Sequence, residues 1–91
     1  MRVVWTSKAS SDLVRLHDFL AAANPRAARE VAGRLAAAPK PLASAPRLGE
    51  RLTQFDPREV RRLLVGDYEL RYEISEDRIH VLRLWHALEH R

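Results

Sequence analysis

Residues Tyr68 to Ser75 carry apolar side chains at every second position: Tyr68, Leu70, Tyr72 and Ile74 on one side, Glu69, Arg71 and Glu73 on the other. A period of two belongs to a strand with one buried face. Similar runs flank it, roughly Arg58–Val65 before and Arg78–Leu84 after, joined through Gly66-Asp67 and Glu76-Asp77. Links of two residues fit tight hairpin turns. Met1–Thr6 reads as another strand, through Val3, Val4 and Trp5. After it the period becomes helical: Leu13, Leu16 and Leu20 share a face at i, i+3, i+7. Thr6 or Ser7 is placed to cap this helix, Asp12 in its early turns suits the dipole, and the helix runs to about Ala22. Asn24-Pro25 restarts a helix with a cap and a proline that forfeits no needed hydrogen bond. The second helix aligns Ala28, Val31, Leu35 and Ala38, with Leu42 continuing the stripe, and Pro39 and Pro41 end it near Ala38. Pro46–Pro57, containing Gly49, reads as a loop. The predicted order is β-α-α-β-β-β: an α+β domain spanning residues 1–91, with an N-terminal strand, a helical hairpin, and an antiparallel three-stranded meander beneath the hairpin.

The apolar faces fix where the arginines point. With Tyr68, Leu70, Tyr72 and Ile74 under the helices, Arg71 lies on the open side of the sheet. Regular alternation in the last strand puts Leu82 and Leu84 on one face and Val81, Arg83 and Trp85 on the other. If the leucines are core, Arg83 joins Arg71 outside. Arg61 and Arg62 are adjacent, so one of the two joins them.

Charge sharpens this picture. The net charge is +4, and it sits in the helical half. Residues 1–46 hold seven basic against three acidic side chains, whereas residues 47–91 hold nine Arg against nine acidic groups. From Glu59 to Arg91 there are six Arg and seven acidic residues, a net of −1. A basic helical face suits nucleic acid or an acidic protein partner, and is equally what a solvated helix face looks like. A chain of 91 residues has a modest core, which favours a shallow surface site or partner interface over an enclosed cavity. There is no cysteine, which fits a reducing cytosol. No apolar run approaches the roughly 18 residues of a membrane span. The four histidines have no metal-site spacing, so neither metal nor cofactor is expected.

The ordered set "RRLLVGDYELRYEI", a turn and "VLRLWHALEHR", preceded by "WTSKASSDLVRLHDFLAAANPRAAREV" and "PRLGERL", resembles the RelE/ParE superfamily of bacterial toxins over nearly the whole chain. The resemblance implies a toxin encoded beside a small antitoxin that wraps it in a hetero-oligomer. It also implies one of two mechanisms. RelE-like members are metal-independent, ribosome-dependent mRNA endoribonucleases; ParE-like members inhibit DNA gyrase by contact. On the ribonuclease reading His86 is the acid/base group, Glu50 its partner carboxylate, and Arg61, Arg71 and Arg83 stabilise phosphate charge. On the gyrase reading Arg61, Arg62, Arg71, Arg83, Trp85, His86, Glu89 and Arg91 contact the target. Antitoxin contacts fall to Leu13, Leu16, Leu20, Arg26, Arg29, Val31 and Leu35, an apolar strip with basic residues that an acidic, apolar segment would cover.

Two features favour the ParE-like branch. Ribonuclease members commonly carry an arginine where this chain has Glu69, and a sheet half without excess positive charge is poorly suited to holding RNA. A degenerate toxin that retains only antitoxin binding is the third reading. A near-terminal histidine is also often just a hydrogen-bonded surface residue, and a tryptophan a packing anchor.

Overall fold

The computed structural model describes residues 1–89; Arg91, one of the expected target contacts, lies outside the described residues. The elements run β1 (Arg2–Trp5), α1 (Ser7–Ala21), α2 (Pro25–Ala37), a 3₁₀ turn (Lys40–Ala43), β2 (Glu50–Arg51), a second 3₁₀ turn (Thr53–Phe55), β3 (Glu59–Val65), β4 (Tyr68–Ser75) and β5 (Arg78–His86). The hairpin packs on one face of a single sheet of order β1-β5-β4-β3-β2.

Local chemistry sets the boundaries. The Thr6 hydroxyl accepts the Ala9 N–H at 3.1 Å and starts α1; its own hydrogen goes to the Val81 carbonyl at 2.8 Å, tying the helix start to β5. Asn24 caps α2 through the Ala27 N–H at 3.1 Å, and Pro25 opens the helix. Gly66 (φ 58°) supplies the left-handed residue of the β3–β4 turn. Glu76 and Asp77 both adopt left-handed φ (56° and 60°) in the β4–β5 turn, the geometry two-residue hairpins demand.

The sheet is mixed where an antiparallel one was expected: β1 runs parallel to β5, because the helical hairpin carries the chain across before the meander begins. The expected Pro46–Pro57 loop also holds a two-residue edge strand. Glu50 and Arg51 pair with Arg62 and Arg61, and the Gly49 N–H donates to the Tyr72 hydroxyl at 2.9 Å. No side chain fits at Gly49, since a Cβ would stand 2.5 Å from the Arg62 carbonyl oxygen.

Beneath the hairpin, Leu16 and Leu35 meet Leu70, Tyr72, Ile79, Val81 and Leu84. Burial of such side chains contributes about 1.5–3 kcal/mol each. Val81 thus belongs to the core, contrary to strict alternation. Between β4 and β5 the pairing passes from Tyr72–Val81 to Arg71–Arg83, so Leu82 is an extra, unpaired residue. This β-bulge resets the phase of the strand, and Val81 and Leu84 face the same side. Among the described residues no helix is long and apolar enough to cross a membrane.

Candidate functional site

Register decides which side chains share a surface. Directly opposed residues in paired strands point to the same side. Glu50 opposes Arg62, Arg62 opposes Arg71, and Arg71 opposes Arg83. These four form one row across the open face. The next row is Leu64, Glu69 and Trp85. Arg62, and not Arg61, is therefore the open-face residue of the adjacent pair. Arg61 shares a side with Tyr72, and its guanidinium donates to the Gly49 carbonyl at 2.7 Å and to Glu59 at 2.9 Å.

Each arginine of the row is matched by a carboxylate of the same chain. Arg62 donates to Glu50 at 2.6 Å and lies 3.7 Å from Glu69. Arg71 donates to the other Glu69 oxygen at 3.0 Å. Glu69 is only 3% exposed, so it sits in the surface as a fixed negative charge between two arginines. Its neighbour Glu73 is held below the usual carboxylate range by two hydrogen bonds from Arg58 and by the charges of Arg58 and His80, against the opposing effect of burial. Arg83 turns around the sheet edge where β1 ends and donates to Asp12 of α1 at 2.8 Å. Asp12 was expected only to suit the dipole of α1 from its early turns. It is also buried, accepting the Leu84 N–H at 2.9 Å as well, and it links α1 to β5.

Trp85 belongs to this face, but it is 8% exposed. The guanidinium carbons of Arg71 and Arg83 lie 4.6 and 5.1 Å from its ring centre, within cation–π range. It is a post on which the arginines are arranged, with little surface to offer a target. Phe55 meets Arg71 from the other direction at 5.3 Å.

His86 points the other way. It opposes Tyr68, its ring meeting the tyrosine edge-on at 5.1 Å, and its Nδ1 accepts the Leu88 N–H at 3.1 Å. It lines a groove of about 550 Å³ on the helix side with Arg15, Leu16, Phe19, Leu20, Tyr68, Leu88 and Glu89. The five residues named for ribonuclease chemistry are thus not brought together. Glu50, Arg71 and Arg83 share the open face, Arg61 lies on the helix side among the carbonyls of the loop that precedes β2, and His86 lies on the helix side at the end of β5. Glu89 is drawn to Arg15, whose Nη1 donates to it at 2.9 Å.

The expected antitoxin strip divides. Leu16 and Leu35 are core residues, Leu16 reaching only the floor of the groove. Leu13, Leu20 and Val31 are half-buried, and Arg26 and Arg29 are exposed. Helical periodicity missed Phe19, which is 79% exposed, and Leu88, which is 89% exposed. An aromatic residue one position off an apolar stripe was the available signal for the first. Among the described residues no group of three or more His, Cys, Asp or Glu is placed to hold a metal.

Comparison with known proteins places this fold in a family. A family model for the ParE toxin of the type II toxin–antitoxin system parDE matches residues 3–91. The chain is 36% identical over 86 residues to a protein named Toxin RelE2 from Caulobacter vibrioides, covering 94% of each. Its fold is similar to a solved chain of the chromosomal ParDE toxin–antitoxin system from P. aeruginosa. There the TM-score is 0.80 at 24% identity, covering 94% of this chain and 95% of the other. The β-α-α-β-β-β order expected from the sequence is therefore that of a known toxin fold, and the chain belongs to the ParE toxin family of type II toxin–antitoxin systems.

Proposed function

We propose that this toxin inhibits DNA gyrase in the cytoplasm by protein–protein contact, without bond-making chemistry of its own, and that the cognate antitoxin neutralises it. One observation carries the reading: the open-face arginines are compensated within the chain, above all by buried Glu69 between Arg62 and Arg71. A phosphate approaching Arg71 would meet that fixed carboxylate at short range, where screening by solvent is weak. A surface of alternating charges instead suits a protein partner of complementary pattern. On this reading Arg62, Arg71, Arg83, His86 and the turn to Glu89 contact gyrase, with Trp85 holding the arginines in position.

Ribosome-dependent mRNA cleavage is the second reading, favoured by one feature of His86. Its Nδ1 accepts a backbone hydrogen bond, which fixes the ring and leaves Nε2 as the nitrogen for proton exchange with a substrate. Purified toxin added to gyrase supercoiling reactions, and separately to ribosomes translating a reporter mRNA, distinguishes the two. We expect loss of supercoiling and intact mRNA. Cleavage at codon positions, abolished by His86→Ala, with gyrase unaffected would reverse the assignment. Inactivity in both assays with tight antitoxin binding would identify a toxin that retains only partner binding.

A further inference from the structure

The open face of the sheet is not uniform in charge. Toward β2 its arginines are matched by carboxylates of the same chain, and the matching ends at Glu73, which takes two hydrogen bonds from Arg58. Beyond Glu73 the face continues over β5 and β1. There His80 opposes Glu73 and Val4, and Arg78 opposes Ser75 and Arg2. Opposed residues share a side, so Arg2 and Arg78 stand next to each other at the outer edge of the open face. Both are exposed, and among the described residues neither makes an ion pair, Glu76 and Asp77 of the adjoining turn included. Past the other end of β1, Lys8 in the first turn of α1 lines a shallow depression of about 430 Å³ with Ser7, Ser11, Asp12 and Arg83. Arg83 is committed there to Asp12, whereas Lys8 is exposed and makes no ion pair among the described residues.

Like charges directly opposite one another weaken a sheet, and no carboxylate of the chain relieves this pair. An anion bridging the two guanidinium groups would. The surroundings favour a nucleic-acid backbone over an acidic protein surface. Val4, Ser75 and His80 complete this part of the face, and none is an exposed apolar residue of the kind that anchors a protein interface. The row also has the length for a run of phosphates. About 13 Å of strand separates Arg2 from Thr6, roughly four steps of 3.4 Å along one strand of a duplex. One run of phosphates therefore reaches the arginine pair and, past Thr6, Lys8. Arg62 and Arg71, by contrast, are guarded from phosphate by Glu69.

We propose that Arg2, Arg78 and Lys8 bind the phosphate backbone of duplex DNA held by gyrase, while the neutralised half of the same face meets the protein. The inference rests on the gyrase reading and deepens it. The toxin recognises gyrase carrying its DNA in preference to gyrase alone, because only then is the bare edge of the sheet matched by an anion.

The test is surface plasmon resonance of the full chain on immobilised gyrase, with and without a bound short duplex, over a series of salt concentrations. The parent chain is expected to bind the gyrase–duplex complex more tightly than gyrase alone. Arg2→Gln with Arg78→Gln is expected to lower affinity for the complex about 10-fold or more, to reduce the slope of log K against log salt by about 2, and to leave affinity for gyrase alone unchanged. Lys8→Gln is expected to remove about 1 further from that slope. Arg2→Lys with Arg78→Lys keeps the charge and is expected to retain most of the affinity. Circular dichroism establishes that each variant is folded. A double glutamine variant that loses affinity equally for gyrase alone assigns the pair to a protein contact and overturns the proposal. Parent binding that ignores the duplex, or a double glutamine variant that binds the complex like the parent, overturns it with the gyrase reading intact. Failure of the parent to bind gyrase in either state overturns both.

Discussion

Replacing Asp12 with alanine should destabilise the fold by about 2–3 kcal/mol, and the size follows from what the carboxylate touches. It is 5% exposed and accepts the Leu84 N–H at 2.9 Å and Arg83 Nε at 2.8 Å. Its removal leaves a buried backbone N–H without an acceptor, which costs about 1–3 kcal/mol. The Arg83 side chain is 38% exposed, so water recovers most of its solvation and the ion pair adds only about 0–1 kcal/mol. A domain of this size has roughly 5–14 kcal/mol in total, so the loss is a substantial share. Urea unfolding followed by circular dichroism should show the midpoint falling by about 1–2 M. The same carboxylate should make stability acid-sensitive. Burial pushes its pKa up, but the hydrogen bonds from Arg83 and the Leu84 N–H, with the charges of Arg83 and Arg15, outweigh burial and hold it below the ordinary aspartate value. A depressed folded pKa gives a contribution that is complete above the unfolded pKa of about 4 and lost as pH falls below it. Asp12→Asn should therefore flatten part of the decline in stability below about pH 4. An alanine variant within about 0.5 kcal/mol of the parent would refute the reasoning, as that is the range of ordinary surface changes.

Three further variants test other parts of the fold by thermal or urea unfolding. Tyr72→Phe should cost about 1–3 kcal/mol, because the buried hydroxyl donates to the Pro46 carbonyl at 2.7 Å and accepts the Gly49 N–H at 2.9 Å; an unchanged midpoint would show that these bonds do not hold the loop. Gly33→Ala should stabilise by about 0.5–1 kcal/mol, since an added Cβ meets nothing within 4 Å and the helix loses its least favourable interior residue; a loss of stability would contradict the open surroundings. Glu76→Asn with Asp77→Gly should raise stability by about 1 kcal/mol, relieving two side chains held at positive φ, and a fall would mean that the turn is not of this kind.

The helices and the meander were legible because caps, prolines and two strong periods point the same way at each boundary. Thr6, Asn24-Pro25 and Gly66 each do locally what their chemistry favours. The open arginine face was also readable, from β4 alone, since Arg71 lies between Tyr72 and Leu70. What escaped depended on tertiary neighbours. Nothing near Asp12 in sequence announces Arg83 and Leu84, and nothing near Glu69 tells that it will be buried between two arginines. The parallel pairing of β1 escaped for the same reason, being set by where the hairpin returns the chain. The choice between Arg61 and Arg62 needed the register of β3 against β4. Leu16 and Leu35 of the expected antitoxin strip are buried because a periodic apolar stripe marks the face that packs, whereas the exposed apolar residue Phe19 lies just off it.

The unpaired residue at Leu82 has a consequence beyond packing: it sets the parity of the C-terminal strand. Side chains before it and after it obey the same alternation, offset by one. If the same residues ran without the offset, Arg83 and Trp85 would turn toward the core, and His86 would emerge on the open face, past Glu69 and opposite Asp67. The histidine would then share a surface with Arg62 and Arg71, while Leu84 would be stranded in water. A single backbone insertion thus sorts an unchanged list of side chains into two separate surfaces. Comparing members of this family by which residues they carry would miss that difference; it lies in the count of residues between the core valine and the arginine.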